Sequence, residues 1–125
     1  MKKTFISFCV AGILAGCAPQ IVEQNPVQLS GSQINSIKDS VTYSLIDPTS
    51  PLFRNIRGKY AKRADGTESV IFCGEVNAKN RMGGYTGFSP FYGHIPQGQT
   101  AAKVEFMDQG NEGMLGNAAL MCSSV

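Results

Sequence analysis

Tryptophan is absent from this 125-residue chain, and histidine occurs once, as His94. One imidazole leaves one candidate general base, and no Asp-His-Ser or Cys-His spacing surrounds it to activate a nucleophile. A lone histidine is also a poor start for a zinc set, so no metal and no cofactor is expected. Charge is scarce as well: 16% of residues are charged, with eleven basic against nine acidic and a formal net charge of +2. That balance carries no basic field for a nucleic-acid partner. Long apolar runs are missing too. The most apolar stretch, residues 5–14, is shorter than the roughly 20 residues that a membrane-spanning helix needs.

Lys2 and Lys3 precede that stretch, and Ala15 and Gly16 separate it from Cys17, which is the order of a secretory signal. Leu14-Ala15-Gly16-Cys17 resembles the lipobox of bacterial lipoproteins at all four positions. The resemblance implies that residues 1–16 are removed and that Cys17 carries a diacylglyceryl group and an N-acyl chain. The chain would then join the membrane through its N-terminal lipid, and more than one acyl chain makes such anchoring stable. Ala18, in place of Asp, implies passage to the outer membrane by the enterobacterial rule, with the domain facing the periplasm. An ordinary signal peptide cut elsewhere, leaving Cys17 a plain thiol, is the alternative.

Loss of residues 1–16 removes Lys2 and Lys3, so nine basic residues face nine acidic ones. Cys9 leaves with the signal and Cys17 is lipidated, so Cys73 and Cys122 remain. In an oxidising compartment two such cysteines are expected to form one disulfide, with a pair of free thiols as the alternative.

Residues 17–32 comprise the lipidated cysteine and a stretch rich in Gln, Asn, Pro, Ser and Gly, read as a flexible tether of about 50 Å when extended. Val27 and Leu29 alternate with Gln28 and offer an edge strand instead. From Gln33, Ile34, Ile37, Val41 and Leu45 recur at steps of three and four, predicting an amphipathic helix with Ser32 as N-cap and a stop at Asp47-Pro48. Residues 53–61 alternate, with Ile56 and Tyr60 on one face and Arg57 and Lys59 on the other. Arg54, Arg57, Lys59, Lys62 and Arg63 form a positive run that reads either as a solvated strand face or as a surface for an anionic glycan, lipid or protein.

Asp65-Gly66 marks a hairpin turn. The consecutive apolar residues Val70, Ile71, Phe72 and Cys73 then predict a central strand covered on both faces. Residues 102–108 alternate Val104 and Phe106 against Lys103 and Glu105 as a fourth strand. Met114, Ala118 and Cys122, spaced by four with Gly113 and Gly116 nearby, predict a short helix that brings Cys122 to the sheet. The expected fold is α+β: one small domain over residues 33–125, with an N-terminal amphipathic helix, an antiparallel sheet of about four strands, and a short C-terminal helix tied to the sheet by the disulfide.

Residues 73–93 organise the chain. A strand ending in Cys73-Gly74-Glu75-Val76 leads through a polar, glycine-rich turn into a strand bearing Tyr85, Phe88, Phe91 and Tyr92, aromatics assigned to the core. Asn77, Lys79, Asn80, Arg81, Gly83 and Gly84 form the candidate binding loop. Its amides and two cations suit a phosphate or carboxylate. The same residues also suit a plain turn, in which the asparagines bond their own backbone and Gly83 and Gly84 take positive φ angles. Glu75 is the carboxylate inside this segment, and Arg57, Lys59 or Lys79 are its expected ion-pair partners.

The segment CGEVNAKNRMGGYTGFSPFYG, with DPTSPLFR upstream, resembles elements of small, largely uncharacterised bacterial exported proteins and lipoproteins. This resemblance implies a shared fold and names no activity. The leading functional expectation is therefore a non-enzymatic binding or accessory lipoprotein whose partner the sequence does not name, an envelope protein or an anionic glycan or lipid. One alternative is a periplasmic enzyme inhibitor or envelope-defence protein of the lysozyme-inhibitor type. The remaining one is a small hydrolase using Glu75 or His94.

Overall fold

In the structure, a computed structural model, residues 19–108 and 117–125 are described. The lipobox and Cys17, and Gly113, Met114, Leu115 and Gly116 of the C-terminal stripe, lie outside these residues. Among the described residues no helix is long and apolar enough to cross a membrane.

The apolar run 70–73 sits in β3 (Glu68–Lys79), the middle of one antiparallel sheet whose spatial order is the chain order. Its neighbours are β2 (Leu52–Arg63) and β4 (Tyr85–Pro96), and the edges are β1 (Ile21–Val27) and β5 (Lys103–Met107). Helix α1 (Gly31–Tyr43) covers one face and α2 (Asn117–Cys122) the other. Alternation sends Phe72 and Val76 towards Ile37 and Val41 of α1, and Ile71 and Cys73 towards Ala118 and Cys122 of α2. Phe72, Cys73, Ile37 and Val41 are fully buried. Each large apolar side chain removed from water in this way contributes about 1.5–3 kcal/mol.

The domain is α+β, and Cys73 and Cys122 form a disulfide with a Cα–Cα distance of 5.7 Å. The sheet has five strands, not four. The additional one, β1, comes from the stretch read as a tether: Gln24 to Val27 stand opposite Ala61 to Gly58 of β2. Polar composition hides this strand because, as an edge, it buries almost nothing. Leu29, just beyond it, lies over Gly58, where a β-carbon would collide with its side chain.

The N-cap of α1 is Ser30, not Ser32. Ser30 Oγ accepts from Gln33 N at 3.2 Å, and Gln33 Oε1 accepts from Ser30 N at 2.8 Å. This capping box needs a Glu or Gln three residues on, which Ser30 has in Gln33 and Ser32 lacks. The Asp65-Gly66 turn forms as expected. Asp65 Oδ1 accepts from Thr67 N and Oγ1, and Gly66 takes φ +85°.

The aromatic strand divides. Phe91 and Tyr92 are buried, Phe88 is half-buried, and Tyr85 is exposed with its hydroxyl donating to Ser50 O at 2.9 Å. The assignment of all four to the core holds for two of them, because the outer half of the hairpin extends past both helices.

Candidate functional site

The β3–β4 hairpin ends in a turn built by Asn80. Its Oδ1 accepts from Met82 N at 3.0 Å and Gly84 N at 3.1 Å, while the backbone closes Asn80 N to Gly84 O and Gly83 N to Asn80 O. Gly83 takes φ +81°; the other positive φ in this region belongs to Gly87, at +99°, and not to Gly84. Gly87 is needed because β4 carries two residues, Thr86 and Gly87, against Ala78 of β3, and Asn77 Oδ1 accepts from Gly87 N across that bulge. The amides of Met82, Gly83 and Gly84 are thus engaged within the turn.

The two cations of the loop part company. Lys79 Nζ lies 5.4 Å from the Tyr85 ring centroid, within cation–π range. Arg81, Met82, Gly83 and Gly84 form the exposed tip. Asp47 sits close enough to feel the Lys79 charge, although its carboxyl is held below the ordinary range chiefly by hydrogen bonds from the Thr49 hydroxyl and amide.

Lys79 and Asn80 also line a cleft of about 550 Å³ on the α1 face of the sheet. Leu45 and Ile46, following α1, form one wall. Val76, Ala78 and Met107 supply apolar surface, and Thr86, Ser89 and Asp108 supply polar groups. Asp108 is already committed, since its two carboxylate oxygens accept from Ala118 N and Ala119 N at the start of α2. Lys79 is the cation of the lining. Its size and mixed lining match those of small-ligand sites. Sequence reasoning reached Lys79 and Asn80 but not Leu45, Ile46, Thr86, Ser89, Met107 or Asp108, which converge only through the fold.

Glu75 finds a partner other than the three expected. Arg54 Nε and Nη2 donate to it at 3.0 and 3.1 Å, and Asn55 Nδ2 donates at 2.7 Å. The cause is a bulge in β2 at Asn55 and Ile56, with Asn55 at φ +55°, which leaves Arg54 opposite Glu75 and Arg57 opposite Cys73. Arg54 also stacks on Phe88, 3.8 Å from the ring centroid. Hydrogen bonds from Arg54, then from Asn55, hold the Glu75 carboxyl below the ordinary glutamate range. A carboxylate kept ionised in this way is poorly suited to general-acid chemistry.

Each cation of the positive run has a partner, while Arg54 and Lys62 stay 51% and 43% exposed. Arg57 donates to the Val125 and Cys122 carbonyls at 3.0 and 3.2 Å, and Lys59 donates to that of Ser124. Lys62 pairs with Glu68 at 3.7 Å, and Arg63 donates to the buried Ser69 Oγ at 3.1 Å. Cations beneath the carbonyls at and just after the end of α2 hold that segment on the sheet.

The Nδ1 of His94 is enclosed and makes no hydrogen bond among the described residues, although Oε1 of Glu105, the extra residue where β5 shifts register against β4, lies 2.5 Å from it. Among the described residues no group of three or more His, Cys, Asp or Glu side chains is placed to hold a metal ion. Comparison with protein-family models, curated proteins and solved structures gives no match to this chain.

Proposed function

We propose that this chain is a lipid-anchored protein of the bacterial outer membrane that faces the periplasm and works by binding, not by catalysis. The lipobox at residues 14–17 supports the anchor, and the buried Cys73–Cys122 disulfide suits an oxidising compartment. The observation that carries the binding reading is the cleft beside the hairpin tip, whose lining combines Lys79 with apolar surface from Leu45, Ile46 and Met107. That combination favours a small amphipathic ligand, or a partner segment, bearing a carboxylate or phosphate.

Three measurements test this. Metabolic labelling with a clickable palmitate is expected to mark the wild-type protein and not Cys17→Ser; an unlabelled wild type removes the anchor. Crosslinking in intact envelopes is expected to give a defined partner that Lys79→Ala with Arg81→Ala weakens while the thermal transition stays in place. Capture unaffected by the double variant removes the cleft as the site. Lysozyme assayed with excess purified protein is expected to keep its rate, and inhibition would favour the inhibitor reading instead.

A further inference from the structure

We infer that the acylated protein stands on the bilayer on the end of its sheet that carries the 64–67 turn, holding the hairpin tip and its cleft away from the lipid. The inference rests on the lipid-anchor reading of Cys17. Its geometric basis is Gln20, whose carbonyl accepts from Ala64 N at 2.8 Å, with Ile21 opposite Arg63 immediately after it. Only Ala18 and Pro19 lie between Cys17 and that tie. Three extended residues reach about 10 Å, so the lipid and this end of the sheet cannot separate further.

The opposite end is fixed by the strands themselves. β3 leaves the 64–67 turn at Glu68 and runs twelve residues to Lys79. At about 3.3 Å per residue this carries the tip roughly 40 Å along the strand direction. Met82, at that tip, is 94% exposed.

The surface that meets the bilayer is suited to contact without net charge attraction. Beside the anchor, Ile21 and Val22 are 39% and 62% exposed and can enter the headgroup zone. The strand ends and turn at this end of the sheet carry the cations Lys62, Arg63 and Lys103 and the carboxylates Glu23, Asp65 and Glu68. With cations and carboxylates in equal number, the short tether and the two aliphatic side chains set the orientation, and added salt leaves it unchanged.

The test uses the full mature protein, acylated and reconstituted in phosphatidylethanolamine–phosphatidylglycerol vesicles containing a lipid with a headgroup-linked quencher. Ala64 or Met82 is replaced by an azide-bearing phenylalanine analogue and coupled to a dye. The dye at 64 is expected to be quenched several-fold more than the dye at 82, at low and high salt alike. A long Gly-Ser insertion between Ala18 and Pro19 is expected to erase that difference. Equal quenching at both positions, in protein whose mass shows the acyl groups and which floats with the vesicles, overturns the orientation and leaves the anchor intact. A difference that survives the insertion overturns the short tether as its cause. Protein that neither carries the acyl mass nor floats overturns the anchor reading and this inference with it.

Discussion

The ring of Phe91 lies across Gly74, the residue it faces on β3, and two pairs along the same ladder the ring of Phe72 lies across Gly93. Each aromatic fills the space that the opposite glycine leaves open, so the two rings cross the centre of the sheet in opposite directions. Their centroids are 6.2 Å apart at 60°. Large side chains laid over strand glycines in this way turn a weak position into a packed one.

This arrangement makes Gly93→Ala the severe substitution. Its new β-carbon would meet the Lys103 carbonyl oxygen as well as the Phe72 ring, and the backbone of the neighbouring strand has little freedom to yield. Overpacking of this kind is expected to cost about 1–3 kcal/mol in urea unfolding with the disulfide intact. Gly31→Ala, which meets nothing within 4 Å, is the control and should stay within about 0.5 kcal/mol of wild type.

Opening the disulfide tests the tie between β3 and α2. The bridge joins residues 49 apart in sequence. By the loop-closure relation its loss in Cys73→Ala with Cys122→Ala should lower stability by about 4 kcal/mol. Urea midpoints of the double variant and of the oxidised wild type give the comparison, and a loss below about 1 kcal/mol would mean that α2 is seated mainly by Arg57 and Lys59.

Those two cations make their own prediction. Arg57→Ala removes donors to the Cys122 and Val125 carbonyls and should cost about 1 kcal/mol. Because the disulfide still holds Cys122, the effect belongs in local opening: amide hydrogen exchange should quicken over 117–125 and stay unchanged in β3.

Acid should unfold the protein partly through Glu75. Its carboxyl is depressed in the folded state by Arg54 and Asn55, so its contribution is full above the ordinary glutamate range and is lost as pH falls through the lower folded value. Asp47 and Asp65 are depressed by Thr49 and Thr67 and act with the same sign. Glu75→Gln should therefore cost about 1 kcal/mol at neutral pH and flatten, without abolishing, the fall in stability below about pH 4. An acid limb identical to that of wild type would show that the Arg54–Glu75 contact carries no linkage.

Much of this architecture is legible before any coordinates. Four consecutive apolar residues at 70–73 require cover on both sides, which is what α1 and α2 supply, and Asp65-Gly66 marks its hairpin without ambiguity. What stays hidden lies where one residue too many enters a ladder. The bulge at Asn55 and Ile56 redirects Arg54 to Glu75 and Arg57 to α2, and the extra Glu105 meets His94; alternation patterns assume an unbroken register and miss both. β1 is legible only in part. Val27 and Leu29 offer an edge strand, but the strand runs over Ile21–Val27, is stabilised by backbone bonds to β2, and its exposed side chains leave no sustained period to read.

The strand order carries a kinetic consequence. Because each strand pairs with the next one in sequence, the sheet can grow by successive neighbouring pairings from the 64–67 turn outwards, two of them starting from tight hairpin turns. α2 breaks that rule, since its place over Cys73 depends on residues far along the chain. A chain made from its N-terminus therefore has the α1-covered core available first and leaves the Cys73 face open until residues 117–122 emerge, so α2 and its bridge join the sheet after its strands have paired.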